Sequence, residues 1–358
     1  MKVFHIVGAR PNFMKAAPVI EAINACPAIE QALVHTGQHY DPNMSQIFFD
    51  QLGMPRPTYN LEVGSGSHAR QTAEIIIRFE KVLSDNIPDL LLVYGDVNST
   101  IATALVASKM GIRIGHVEAG LRSWDRSMPE EINRVLTDQI SNYFFTPSGE
   151  ADENLKREGI DPQNIFRVGN VMIDTLVRLL DSACEPVISG RQKRFILVTL
   201  HRPSNVDNPA MLGRLLNALN RISKDIQVIF PIHPRTRSRL QSDKSSEVAA
   251  NLLLTEPFGY LEFLWLQKHA VAVITDSGGI QEETTFLQVP CLTMRDSTER
   301  PITVEMGTNV LIGQDTDRLI KETRNILDGR VKKGVIPPLW DGKAGKRIAE
   351  IVQGMVKG

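Results

Sequence analysis

Cysteine is scarce in this chain. There are three in 358 residues, at Cys26, Cys184 and Cys291, with no Cys-x-x-Cys and no histidine partner at metal spacing. That argues against a structural zinc and for a reducing compartment, so the protein is expected in the cytoplasm, without a metal. Long apolar runs are missing too. Nothing approaches a membrane-spanning length, and Met1-Lys2-Val3-Phe4-His5-Ile6-Val7 runs into a strand with no apolar leader or cleavage site. Charge of either sign is not in excess. A net charge of −1 gives no global field to draw the chain to nucleic acid or membrane, so neither is expected as a partner, and any anionic ligand must be held by local basic groups. The Gly-x-Gly-x-x-Gly fingerprint is absent after the first strand, where Gly8-Ala9-Arg10-Pro11 stands instead. A nicotinamide site of the usual kind is thereby excluded, and no cofactor is expected. No repeat of solenoid period and no low-complexity tract is present.

What remains is a globular composition, 42% apolar and 23% charged, in a chain too long for one ordinary core. Short apolar runs alternate with longer amphipathic ones, the pattern of β-α units around parallel sheets. In the first half strands are expected at Val3–Val7, Ala32–Thr36, Leu90–Tyr94, Ile112–Val117 and Tyr143–Thr146. Helices fall at Ala69–Leu83, Ser99–Met110 and Glu130–Ser141. The pattern restarts with Phe195–Leu200, Val228–Ile232, Leu252–Leu254, Val271–Ile274 and Cys291–Met294. The expected fold class is α/β: two doubly wound, Rossmann-like domains facing a cleft. Residues 1–169 form the first and 170–342 the second, with a terminal helix at 343–358 after the Pro337–Trp340 turn.

In such folds ligands sit beyond the carboxyl ends of strands, so the segments following the strands list the candidate site. Thr275-Asp276-Ser277-Gly278-Gly279 ends one strand and opens a helix whose free N–H groups suit a diphosphate. Glu282 and Glu283 follow roughly 6 Å further along the helix axis, within reach of ribose hydroxyls. A plain strand-turn-helix joint explains the stretch Thr275–Glu283 equally well. Arg10 and Lys15 open a helix after the first strand; alone they read as two solvated basic residues. Asp96 closes a strand before a helix start, where a capping role competes with chemistry. Asn98 and Ser99 lie closer to that helix and are placed to cap it, which releases Asp96. His116 and Glu118 alternate on one strand face. Glu130 and Glu131 follow Pro129 in ordinary helix-start grammar, which explains Glu131 well and Glu130 only about half. His201, Arg202, His233 and Arg235 stand at strand ends of the second half. Each alone has a bland explanation. Their convergence on strand ends points to a site.

Together the motifs carry a resemblance. Gly8-x-Arg10-Pro11-x-x-x-Lys15, Gly95-Asp96, His116-Val117-Glu118-Ala119-Gly120-Leu121-Arg122 and Pro129-Glu130-Glu131-x-Asn133-Arg134 occur in order. Thr275–Glu283 and Met294-Arg295-Asp296-x-Thr298-Glu299-Arg300-Pro301 follow. The chain resembles, over nearly its whole length, the non-hydrolysing UDP-N-acetylglucosamine 2-epimerase family. The resemblance implies a glycosyltransferase-B-like fold, a homodimer, and inversion of C2 between UDP-GlcNAc and UDP-ManNAc without nicotinamide. It places the acid/base carboxylates on Asp96, Glu118 and Glu130 and the active-site histidine on His201. It places nucleotide contacts on Arg10, Phe263, Ser277, Gly278, Gly279 and Glu283, and further substrate positions on Lys15 and Arg134. It also implies that the last helix returns to the first domain.

Two departures stand out. Regulated bacterial members carry a second Gln after Gln-His in an allosteric UDP-GlcNAc site; here Gln38 and His39 are followed by Tyr40 and Asp41. That pattern is closer to relatives acting on UDP-2,3-diacetamido uronic acids. Leu200-His201-Arg202-Pro203-Ser204 likewise replaces the family's Gly-His-Arg-Arg-Glu. The chemistry expected is expulsion of UDP from C1 as a base takes the C2 proton, giving a glycal, and re-addition with protonation from the other face. A hydrolysing epimerase, a glycosyltransferase of the same fold and a sugar-nucleotide sensor are the competing readings.

Overall fold

The computed structural model describes residues 1–37, 49, 51–232 and 249–356. The chain forms two compact units, residues 1–177 with 338–358, and residues 178–337. In the first, seven strands pair in parallel: β1 (Lys2–Val7), β2 (Glu30–His35), β3 (Tyr59–Asn60), β4 (Leu90–Tyr94), β5 (Arg113–Val117), β6 (Tyr143–Thr146) and β7 (Ile165–Arg167). Their order, β3-β2-β1-β4-β5-β6-β7, is the doubly wound one, reversing direction between β1 and β4. In the second, β8 (Phe195–Thr199), β9 (Gln227–Pro231), β10 (Leu252–Thr255), β11 (Ala272–Thr275), β12 (Cys291–Thr293) and β13 (Asn309–Leu311) run in the order β10-β9-β8-β11-β12-β13. The reversal there falls between β8 and β11. These strands are buried on both faces: Ile196, Val198 and Ile274 belong to one core cluster, Phe195, Leu197 and Val273 to another. Covered on both sides, they read as unbroken apolar runs.

Helices among the described residues of unit 1 are α1 (Arg10–Asn24), α2 (His68–Asp85), α3 (Asn98–Lys109), α4 (Pro129–Ile140), α5 (Gly149–Arg157) and α6 (Val171–Leu179). In unit 2 they are α7 (Pro203–Val206), α8 (Pro209–Ile222), α9 (Tyr260–His269), α10 (Gly278–Leu287), α11 (Pro301–Glu305) and α12 (Thr316–Leu327); α13 (Ala344–Val356) follows in unit 1. The break between units falls inside α6, not after residue 169, and the chain returns at 338 rather than 343. The reason is local. Pro18 lies within α1 and has no N–H for the Met14 carbonyl, which instead accepts the Thr175 hydroxyl of α6 at 2.6 Å. Asp174 of α6 accepts the N–H groups of Ala344 and Gly345 at the start of α13, at 3.0 and 2.7 Å. A Cβ on Gly345 would come within 2.6 Å of the Pro18 carbonyl, so α13 packs close against α1. No helix among the described residues is long and apolar enough to cross a membrane.

Candidate active site

In unit 1 the chemistry-bearing side chains collect where β1, β4 and β5 end. The Asn12 Oδ1 accepts the N–H groups of Gly8 and Ala9, and its Nδ2 donates to the Tyr94 carbonyl at 2.7 Å. The turn carrying Arg10 is thereby fastened to the end of β4. Arg10 is exposed. Lys15, one turn on, is buried and places its Nζ 2.6 Å from Glu118 Oε1. Lys15 is thus the ion-pair partner of a candidate acid/base group.

Glu118 lies one residue past β5 with φ +73°, so strand alternation no longer sets its direction. Its side chain meets Lys15, whereas His116, inside the strand, donates from Nδ1 to Asp138 Oδ1 at 2.6 Å and from Nε2 to the Gly95 carbonyl at 2.8 Å. The two do not act as the same-face pair that alternation suggested. Asp138 also pairs with Arg122 at 2.7 Å, forming a fully buried network beneath the strand ends. Burial alone would raise the Asp138 carboxyl; the His116 ring and the Arg122 guanidinium outweigh it and hold it below the usual carboxylate range.

Asp96 is half-buried and pairs with Arg134, which also holds Glu131 at 2.6 Å. Neither Asn98 nor Ser99 caps α3 with its side chain: Asn98 bonds Gln71 and Asn133, and Ser99 bonds Thr36. Asp96 is engaged by the Arg134 cation. Glu130 is exposed in the first turn of α4. Its neighbour Glu131, which the sequence explains as helix grammar, is buried. It accepts from the Ser123 N–H and hydroxyl and from the Trp124 N–H, each at 2.9 Å. Glu131 therefore shapes the loop joining β5 to α4.

In unit 2, Ser277 precedes α10 and its side chain makes no cap bond, leaving Gly278 and Gly279 in the first turn. A Cβ on Gly278 would stand 2.5 Å from Arg300 and 2.7 Å from Glu299, so a larger residue there would have to displace that ion pair. Glu282 pairs with Arg300 at 2.9 Å, and Glu283 accepts the Tyr260 hydroxyl at 2.9 Å. Of the two glutamates, Glu282 belongs to a buried cluster with Arg300, Glu299 and Arg295. Phe263 is half-buried on α9, the helix that carries Tyr260. His201 follows β8 and is held by Asp276, 2.9 Å from its Nδ1. Asp276, Tyr260 and Glu131 are the positions that sequence reasoning passed over as site-building residues. For Asp276 the signal was there, a carboxylate at a strand end beside Ser-Gly-Gly. Gln38, His39, His233 and Arg235 lie outside the described residues.

The family model described as UDP-N-acetylglucosamine 2-epimerase matches residues 21–353. A UDP-N-acetylglucosamine 2-epimerase of Methanocaldococcus jannaschii is 46% identical over 98% of this chain and 99% of its own. The crystal structure of the M. jannaschii UDP-GlcNAc 2-epimerase in complex with UDP-GlcNAc and UDP superimposes with a TM-score of 0.89, covering 99% of this chain and 100% of that one. A UDP-2,3-diacetamido-2,3-dideoxy-D-glucuronate 2-epimerase of Pseudomonas aeruginosa is 43% identical over 98% of this chain and 99% of its own. A lipopolysaccharide outer core galactosyltransferase, 15% identical with a TM-score of 0.55 over 100% of this chain and 95% of its own, shares the fold alone. The architecture is glycosyltransferase-B-like.

Proposed function

Because the chain belongs to the UDP-N-acetylglucosamine 2-epimerase family, we propose that it is a non-hydrolysing isomerase inverting C2 of a UDP-N-acetylhexosamine, UDP-GlcNAc to UDP-ManNAc. The observation that carries the reading is the pair of cation-clamped carboxylates at adjacent strand ends, Asp96 on Arg134 and Glu118 on Lys15. C2 of an N-acetyl sugar has no neighbouring ketone, so its proton is removed only as C1 gives up its leaving group. One carboxylate takes the C2 proton while the C1–O bond breaks and its electron pair goes to the diphosphate, giving a glycal and UDP. UDP then re-adds at C1 as a proton reaches C2 from the other face. Asp96, Glu118 and Glu130 supply the acid and base. Ser277, Gly278, Gly279, Arg10 and His201 stabilise charge on the diphosphate, and Glu283 and Phe263 hold the nucleoside. Lys15 and Arg134 keep their carboxylates in place.

Incubation with UDP-GlcNAc in heavy water, followed by proton NMR, tests this. The expected result is UDP-ManNAc with deuterium at C2, abolished in Asp96→Asn while UDP binding stays nearly intact. Free ManNAc would make the enzyme hydrolysing, and no C2 exchange would end the epimerase reading. Near-wild-type exchange in Asp96→Asn would remove that residue from the mechanism.

A second substrate is favoured by the likeness to the P. aeruginosa relative and by Gly37-Gln38-His39-Tyr40-Asp41: a UDP-2,3-diacetamido-glucuronic acid undergoing the same inversion. Assaying both sugars side by side separates them. The protein works in the cytoplasm as a homodimer, a reading supported by exposed Ile77, Leu105, Ile132 and Leu136 on the neighbouring helices α2, α3 and α4. Its free cysteines, two of them buried, fit a reducing compartment.

A further inference from the structure

The reversal of strand order in unit 2 pairs β8 with β11, Thr199 opposite Thr275. Residues leaving these strands, His201 and Asp276, are thus neighbours in space although 75 positions separate them. Asp276 is wholly buried. Its Oδ2 accepts from the Arg202 N–H at 3.0 Å, the Asn205 amide at 2.9 Å and the His201 N–H at 3.1 Å. Its Oδ1 lies 2.9 Å from His201 Nδ1 and accepts the His201 N–H at 3.2 Å. Burial pushes this carboxyl up, but the His201 ring, Asn205 and the Arg202 N–H together hold it below the usual carboxylate range. An ionised carboxylate only accepts, so the nitrogen facing it must carry a proton. Nδ1 is therefore committed to Asp276. The ring is otherwise open, its side chain 62% exposed, and Nε2 is the atom left to serve a ligand.

We propose that Asp276 is the positioning residue of the leaving-group step, locking His201 in its Nδ1–H form so that Nε2 meets the diphosphate seated at Ser277-Gly278-Gly279. This rests on the role given to His201 above. As the C1–O bond breaks, its electron pair passes to a β-phosphate oxygen. That oxygen accepts a hydrogen bond from Nε2, which has taken a second ring proton from solvent before the step, so the ring reacts as an imidazolium whose charge buried Asp276 balances. The C2 proton goes to a carboxylate, and every step reverses when UDP re-adds. The arrangement resembles the orienting acid of a serine-protease triad in logic, where the buried carboxylate fixes a tautomer and is not itself protonated.

The full-length chain, labelled with 15N, tests this by long-range proton–nitrogen NMR of its histidines, His201 being assigned from the spectrum of His201→Gln. The neutral ring is expected as the Nδ1–H tautomer in the wild type. An Nε2–H tautomer there would overturn the proposal with no variant needed. In Asp276→Asn the amide oxygen takes over Arg202 and Asn205 and turns its NH2 toward Nδ1, so the ring proton moves to Nε2. That neutral ring still donates to bound UDP, but with no carboxylate at Nδ1 it cannot carry the second proton, so turnover should fall about 10²–10³-fold with KM and UDP affinity within about threefold. The double variant with His201→Gln should be no slower than His201→Gln alone, within about twofold. Losses that multiply, or an unchanged tautomer in Asp276→Asn, would refute the assignment. Should the wild type show no C2 exchange, the epimerase reading fails, while the tautomer still decides whether Asp276 orients His201.

Discussion

Gly95 shows how one absent methyl group shapes the acid/base cluster. Its φ is +62°, and a Cβ there would stand 2.5 Å from Lys15 Nζ and 3.6 Å from Glu118 Oε1. Gly95→Ala is expected to cost roughly 1–3 kcal/mol through the left-handed backbone, and to push Lys15 off Glu118. Thermal unfolding and C2 exchange should both drop, the latter by about tenfold or more. A variant with wild-type melting and exchange would disprove the role. Glu283 makes a different case. Its partner is the Tyr260 hydroxyl on another helix, so Glu283→Ala should weaken UDP binding, read by calorimetry, while the chemical step on bound substrate changes little. Equal UDP affinity in variant and wild type counts against the assignment. Residue types at strand ends were legible in the sequence, since Asp96, Glu118 and His201 each follow an apolar run. Partners were not. Glu131 looks like any first-turn glutamate until Ser123, Trp124 and Arg134 are seen around its carboxylate.

At the scale of elements, α1, α6 and α13 form one assembly. The Pro18 gap in α1 is filled by Thr175, and Asp174 fastens the first N–H groups of α13. Burial raises the Asp174 carboxyl to about 6, the N–H donors of Gly345 and Ala344 opposing the shift only partly. A carboxyl whose folded pKa lies above its unfolded value binds its proton more tightly when folded. Its ionisation therefore takes stability away as pH rises from about 4 through 6, by roughly 2–3 kcal/mol once complete. Asp174→Asn removes that titration. Relative to wild type, the variant should gain stability in urea between pH 4 and pH 7; a difference independent of pH would contradict this. Strands were read well where apolar runs are four residues or longer, as in β1, β4 and β8. The edge strands β3, β7 and β13 have two or three residues and leave no run to detect.

For the molecule as a whole, the exposed apolar residues on α2, α3 and α4 bear on assembly. Ile132 and Leu136 lie four apart on α4 and share a face. Leu136→Arg is expected to convert a dimer into a monomer in light scattering with little effect on melting, because the side chain contributes little to the core of its own unit. A wild-type protein that is already monomeric would dismiss the homodimer, and a dimer undisturbed by the substitution would move the interface elsewhere.

By itself the sequence determined the alternation of strands and helices, the doubling into two α/β units, and the class of chemistry. Those follow from apolar periodicity and from the side chains that local backbone delivers to strand ends, and neither depends on distant residues. Only the tertiary structure decided the pairings: Lys15 with Glu118, Asp96 with Arg134, Asp276 with His201, and α13 with α1. Each joins segments far apart in the chain through the order of strands in a sheet or the packing of helices. A contact of that kind leaves no periodic trace, because strand order is set by the burial of whole layers and not by any one segment.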